Sequence, residues 1–352
     1  MFSKSRLSSA VAGFLPAYFS LVMATGIVSI ASHLQGFDFF AFPLFWLNLL
    51  FYGILWAITG ARIIYYPMRF LEDVKDHVRG VGCFTIVAGT CVLGSQFVIL
   101  LQSFEWGVFF LGVGTFLWVV LIYGIFTTLA ISPHKPSLEK GIHGGWLVAV
   151  VATQSISVLA GLTAPHFDHN REAMLFFSLA MFLMGGILYL LIIFLILYRF
   201  LFFVLKPEDL KPQYWVNMGA AAISALAGAV LALNGQSAQF LAQLKPFVLG
   251  LALFFWASAT WWIPYLFLLG AWRYLVHRMK FSYEPHYWSL VFPLGMYTTC
   301  TTQLAKAVHL DFLMEIPRYF IYAAILAWGL TFWGLLRTFA RFLFSAEPAA
   351  GR

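Results

Sequence analysis

Charge is scarce in this sequence. Asp, Glu, Lys and Arg together make up 10% of the 352 residues, against 62% hydrophobic ones, and the mean hydropathy is +0.86. A soluble domain needs far more charge on its surface, and no stretch longer than about 20 residues is polar enough to form one. Cysteine is also rare. Cys83, Cys91 and Cys300 all fall inside apolar runs, so they read as small core residues, not as a disulfide framework or a zinc site.

What fills the chain is long apolar runs. A bilayer core about 30 Å thick needs about 20 apolar residues per helix. With charges and turn residues as boundaries, ten such runs follow in order: 14–32, 39–61, 81–102, 106–130, 144–162, 173–198, 214–234, 247–272, 288–305 and 319–336. The ninth is the least hydrophobic. The expected fold is therefore an all-α integral membrane protein of ten transmembrane helices, forming a single transmembrane domain over residues 1–352. Lys4 and Arg6 precede the first run in the manner of a signal peptide. That run is long for a signal peptide, however, and removing it would leave nine spans, so it reads as an uncleaved first helix.

None of the ten runs contains Asp, Glu, Lys, Arg or His, and all nine histidines lie in loops or just outside run ends. Proton relays, membrane metal enzymes and haem carriers need ionisable or ligating groups within reach of the bilayer interior. No cofactor or metal is expected. An ion path here would be neutral, lined by hydroxyls, amides, backbone dipoles and apolar groups.

Basic residues stay on the cytoplasmic side as helices insert. With ten spans and cytoplasmic termini, 17 of the 21 Lys and Arg residues fall on inside segments and 4 outside: Arg171, Lys245, Lys306 and Arg318. Both termini are thus expected in the cytoplasm, with the chain in a plasma or inner membrane. The net charge of +7 is largely this insertion signal and gives no reason to invoke nucleic acid.

Odd and even runs differ in kind. The even ones hold 36 Phe, Trp and Tyr residues and the odd ones 11. The odd runs are instead rich in small and weakly polar residues, as in VMATGIVSIAS from Val22 and NMGAAAISALAGAVLALNG from Asn217. Small residues allow close helix packing and can also face water, whereas large aromatics sit well against lipid. Strict alternation over five pairs favours five helical hairpins, with the odd helices forming an inner pore ring and the even helices an outer one. Candidate lining groups are Thr25, Ser29 and Ser32 on the first helix, Thr298, Thr301 and Thr302 on the ninth, and the amides of Gln154 and Asn217. Each could equally be a satisfied interhelical hydrogen bond. Gly26, Gly89, Gly94, Gly219, Gly228, Pro293 and Gly295 interrupt odd helices, where kinks would free backbone N–H groups.

The opening FLPAYFSLVMATGIVSI from Phe14, the five hairpins, and FSYEPHYWSLVFPLGMYTTCT from Phe281 resemble the tellurite-resistance and dicarboxylate transporter family, which includes the slow anion channels of plant guard cells. The match covers nearly the whole chain. It is carried by Phe19, Met23, Thr25 and Gly26 in the first helix and by Trp288, Phe292, Pro293 and Gly295 in the ninth. The resemblance implies a homotrimer of independent pores, each ringed by odd helices and closed near its middle by a phenylalanine that Phe292 matches. It also implies small inorganic or organic anions as cargo, since the family holds anion channels, proton-linked carriers of malate and other C4 dicarboxylates, and sulfite exporters. The partners expected are those anions and membrane lipid. The chain lacks the long phosphorylatable tails of the plant channels and any intramembrane acid that would mark proton coupling. The competing class is a membrane-embedded enzyme or a structural membrane subunit, and the enzyme reading needs a reactive cluster near the membrane. Its nearest candidate cluster is His166, Asp168 and His169 in an outer loop, spaced like a metal site.

Overall fold

The computed structural model describes residues 4–167, 169–280 and 283–344. These are almost entirely helical. Ten helices of 15 residues or more follow one another: α1 (Ser20–Leu34), α2 (Asp38–Tyr65), α3 (Phe84–Leu101), α4 (Phe104–Ile131), α5 (Val148–Thr163), α6 (Arg171–Phe202), α7 (Val216–Leu233), α8 (Gln239–Ala271), α9 (Trp288–Val308) and α10 (Glu315–Phe344). In a bilayer only a helix or a closed barrel satisfies the backbone internally, and the apolar runs are long enough for helices. Among the described residues nine helical segments are long and apolar enough to cross a membrane. The exception is α9, 21 residues long and the least apolar in sequence, which is nevertheless buried throughout residues 291–302.

Even helices overrun the expected boundaries. The run expected at 247–272 forms a helix from Gln239, carrying Lys245 and Pro246 in its first turns. Pro246, the eighth residue of this helix, has no N–H to give the Ala242 carbonyl one turn back, so the helix runs on past one missing backbone bond.

Burial divides the helices into two sets. In the most apolar stretch of each segment, 78–94% of residues are buried for those containing α1, α3, α5 and α7, against 17–44% for the even helices. Exposed large side chains such as Trp46, Phe109, Phe194 and Leu326 lie on the even helices, a surface suited to lipid. Packing among the odd helices closes into a cycle: α1 touches α3, α3 touches α5, α5 touches α7, α7 touches α9, and α9 returns to α1. Each even helix packs on its predecessor and also on the next odd helix, with α10 reaching α1.

A polar clasp recurs at every one of these second contacts. Tyr52 of α2 meets Thr90 of α3 at 3.0 Å, and Trp118 of α4 donates to Thr153 of α5 at 2.9 Å. Tyr189 of α6 donates to the Asn217 carbonyl of α7 at 3.3 Å. Trp256 of α8 donates to Thr301 of α9 at 3.0 Å, and Trp328 of α10 to Thr25 of α1 at 3.1 Å. An aromatic ring supplies apolar area to the groove while its single N–H or O–H is satisfied on the helix beyond. Outer helices are thereby fixed in rotation as well as position.

The five odd helices run parallel. Each is headed by a 3₁₀ turn, Pro16–Phe19, Gly80–Cys83, Gly144–Leu147, Pro212–Trp215 and Pro285–Tyr287, and consecutive turns touch one another, so all five N-terminal ends share one face of the molecule. Close approach requires the absence of a side chain at Gly219, where an added Cβ would lie 2.7 Å from Pro293 Cγ.

Candidate functional site

Inside the cycle of odd helices lies a narrow cavity. Its wall is built from the same stripe on every helix: Ile27 and Ile30; Val92, Ser95 and Ile99; Ser155, Val158 and Leu162; Ile223, Leu226 and Val230; Met296, Thr299 and Gln303. The spacings of three and four put each set on one helix face. Room for the centre of a water-sized sphere is about 20 Å³, enough for about one water. None of the fourteen wall residues is ionisable. Their polar members are three hydroxyls and one amide. Ser95 donates to the Cys91 carbonyl at 2.9 Å, Ser155 to Ala152 at 2.8 Å and Thr299 to Gly295 at 3.0 Å. These hydroxyls rest on their own helix carbonyls and can rotate to donate elsewhere.

The residues singled out from sequence sit elsewhere on the same helices, against outer helices or at the seams between odd ones. Thr25 accepts from the Trp328 indole, and Ser29 donates to the Ala41 carbonyl at 2.7 Å. Gln154 donates to the Phe182 carbonyl at 3.0 Å, and Thr298 to Leu294 at 3.0 Å on its own helix. Gly26 abuts Val92 and Asn48, and Gly94 abuts Leu159 and Phe110. Gly295 faces Ile27 and Val28, while Pro293 fits against Gly219. Asn217 is fully buried, and neither atom of its side-chain amide has a partner. None of these is a wall residue of the cavity. Hydroxyls on the odd helices thus divide: one group meets the outer helices, and Ser95, Ser155 and Thr299 meet the centre.

Phe292 is not a wall residue either, but it stands in line with the wall. It precedes Met296 by one turn and Thr299 by two, on the stripe that faces the cavity, and its exposure is 1%. By the same periodicity Met23, Ala88, Val151 and Gly219 precede the first wall residues of the other helices by one turn, and all are buried. Periodicity thus places Phe292 one turn nearer the 3₁₀ turns than Met296, the first wall residue of its helix.

Sequence reasoning missed three buried arginines at that same end. Arg62 pairs with Asp73, which Arg79 also contacts at 3.1 Å, and Arg273 donates to the Leu210 carbonyl. Arg199 donates from Nε to the Glu139 carbonyl at 2.7 Å and lies 3.5 Å from Asp209. Each closes a helix C-terminus onto the loop leading to an odd helix. Between α5 and α6 His166 stacks on Phe104 with ring centroids 5.7 Å apart, and no cluster suited to a metal occurs among the described residues. Asp168 lies outside them.

The model of the SLAC1 voltage-dependent anion channel family matches residues 13–336. The chain belongs to this family. Among relatives of this anion channel family member, an uncharacterised membrane protein of Mycobacterium tuberculosis is 38% identical over 146 residues, which is 42% of this chain and 74% of that protein. An uncharacterised transporter of Methanocaldococcus jannaschii is 25% identical over 316 residues, 85% of this chain and 87% of its own length. A sulfite efflux pump of Trichophyton rubrum is 24% identical over 348 residues, covering 92% and 90%. The family resemblance read from the first and ninth helices is thus confirmed across nearly the whole anion channel domain.

Proposed function

We propose that this chain conducts small anions passively across a membrane, along the axis enclosed by α1, α3, α5, α7 and α9, with Phe292 as the gate and no catalysis. The observation that carries the reading is the neutral cavity walled by all five parallel helices. Each helix N-terminus carries about half a positive charge, and five of them open onto one end of the axis, so an anion there meets a favourable field. The wall itself binds nothing tightly. A mostly apolar, narrow stretch closes by dewetting, and its hydroxyls offer weak donors once wetted. Such a path suits passage better than storage. Sulfite is the first cargo to test, because a relative is named as a sulfite efflux pump.

The absence of an ionisable wall residue favours conduction over proton-coupled carriage of C4 dicarboxylates. Purified protein in liposomes tests this with sulfite, chloride, nitrate and malate. Currents should reverse at the anion equilibrium potential and be indifferent to a pH gradient. Flux that requires the pH gradient would replace the channel reading with a carrier, and no flux of any of the four anions would remove the transport reading.

A further inference from the structure

A second cavity, of about 320 Å³, lies at the end where the 3₁₀ turns converge and shares no wall residue with the central one. Its wall brings together Val78 from the loop before α3, Glu139, Lys140, Ile142 and His143 from the loop before α5, the loop before α7 and Arg199 from the last turn of α6. Lys140, Arg199, Lys206 and Lys211 face only two carboxylates, Glu139 and Asp209, leaving an excess of two positive charges. Arg199 is 6% exposed, and its Nη1 has no hydrogen-bond partner. An unpaired buried guanidinium donor is costly unless something negative completes it.

We propose that this pocket is a second anion-binding site, built for a small divalent oxyanion that accepts from Arg199 Nη1 and is neutralised by the surrounding lysines. Charge number and donor set both fit. Asp209 is already engaged, receiving the Lys206 backbone N–H at 3.3 Å and the Arg199 guanidinium at 3.5 Å, so one buried arginine arm remains for a ligand. His143, also on the wall, is a neutral donor: its Nδ1 accepts the Gly145 N–H at 3.0 Å, which puts the ring proton on Nε2. Burial, then the charge of Lys211, hold its pKa down to about 4. The shared chemistry is an oxyanion dianion, and both a free ion and a lipid phosphomonoester headgroup carry it.

Calorimetric titration of the full chain in phosphatidylcholine nanodiscs with sodium sulfate, at constant ionic strength, tests the site. Saturable binding at one site per chain is expected. Lys140→Gln with Lys206→Gln, both at exposed positions, should weaken it at least tenfold, and Arg199→Gln should abolish it. If Arg199→Gln does not fold, the double lysine variant decides alone. No saturable binding by the parent, or equal affinity in the double variant, would overturn the proposal. In discs containing phosphatidate, retained sulfate binding supports a free-ion site, whereas competitive loss supports the same oxyanion chemistry with a lipid headgroup as its source. The readout is equilibrium binding, so its outcome is independent of whether the central path conducts.

Discussion

At the scale of single residues, Phe292 and His143 carry the sharpest consequences. Phe292→Ala removes a ring from the stripe that continues the cavity wall, without removing a polar group. Anion flux per folded protein should rise, tenfold for every 1.4 kcal/mol taken from the barrier. A residue that only packs would instead leave a cavity costing roughly 3–5 kcal/mol, seen as a lower Tm with flux unchanged or reduced. Leu290→Ala is the control, because Leu290 lies in a separate groove against α8 and half faces outward. A folded Phe292→Ala protein that conducts no better than the parent removes the gate.

For His143 the expectation concerns stability. Its folded pKa of about 4 lies below the ordinary 6.5, so between these values the unfolded chain binds a proton that the native one does not. Stability is complete above about pH 6.5 and is lost as the pH falls toward 4. With partial exposure allowed for, the effect is about 1–2 kcal/mol. His143→Asn keeps an acceptor for the Gly145 N–H and cannot titrate, so its Tm should fall less steeply between pH 6.5 and 4.5. His286, whose pKa burial and then Lys211 also lower, is present in both proteins. Parallel Tm profiles for the two proteins would contradict the assignment.

At the scale of elements, the odd helices work as a set because their small residues let neighbours approach. Gly219 shows how little room is left. A side chain there meets Pro293 at 2.7 Å from its first carbon, and Pro293 sits in a helix that cannot swing aside without disturbing the cycle. Gly219→Val should therefore cost about 1–3 kcal/mol by overpacking. It should lower flux as well, since α7 and α9 both supply cavity wall. Gly112→Ala on α4, with nothing within 4 Å of the added carbon, should leave Tm unchanged or slightly raised. A Gly219→Val protein as stable as its Gly112→Ala counterpart would contradict the close packing of α7 on α9.

Much of this scale was legible in the sequence. The excess of aromatics in even runs follows from a groove-filling and lipid-facing role, and the small residues of odd runs from close packing. Which hydroxyl faces the centre was not legible. Thr25, Ser29 and Thr298 sit among small residues just as Ser95, Ser155 and Thr299 do. The former lie against Trp328, the Ala41 carbonyl and their own helix, and the latter line the cavity. A helix in isolation has the same stripes whichever way it is turned.

At the scale of the whole molecule, topology and assembly are the open expectations. With both termini cytoplasmic, cysteines placed at the exposed Ser137 and Asn170 should react with an impermeant reagent from opposite sides of the membrane, Asn170 from outside. The three native cysteines are fully buried and should remain silent. Labelling of both new sites from one side would overturn the orientation. A homotrimer remains a proposal, and native mass measurement in lipid discs would test it directly.

The sequence by itself determined that this chain lives in a membrane as helices, because apolar length and the scarcity of charge are properties of the polymer and need no partner. It also carried the hairpin alternation and the family. Only the tertiary structure decided the rotation of each helix. The aromatic clasps, such as Trp118 to Thr153, fix that rotation and so select the stripes that wall the cavity. Only tertiary structure, too, brought Lys140, from the loop before α5, into one pocket with Arg199 at the end of α6 and the Lys206 and Lys211 that follow it. The physical reason is the same in both cases: periodicity along one helix sets which residues share a face, whereas the neighbour that face meets is settled by contacts between segments that the sequence order does not adjoin.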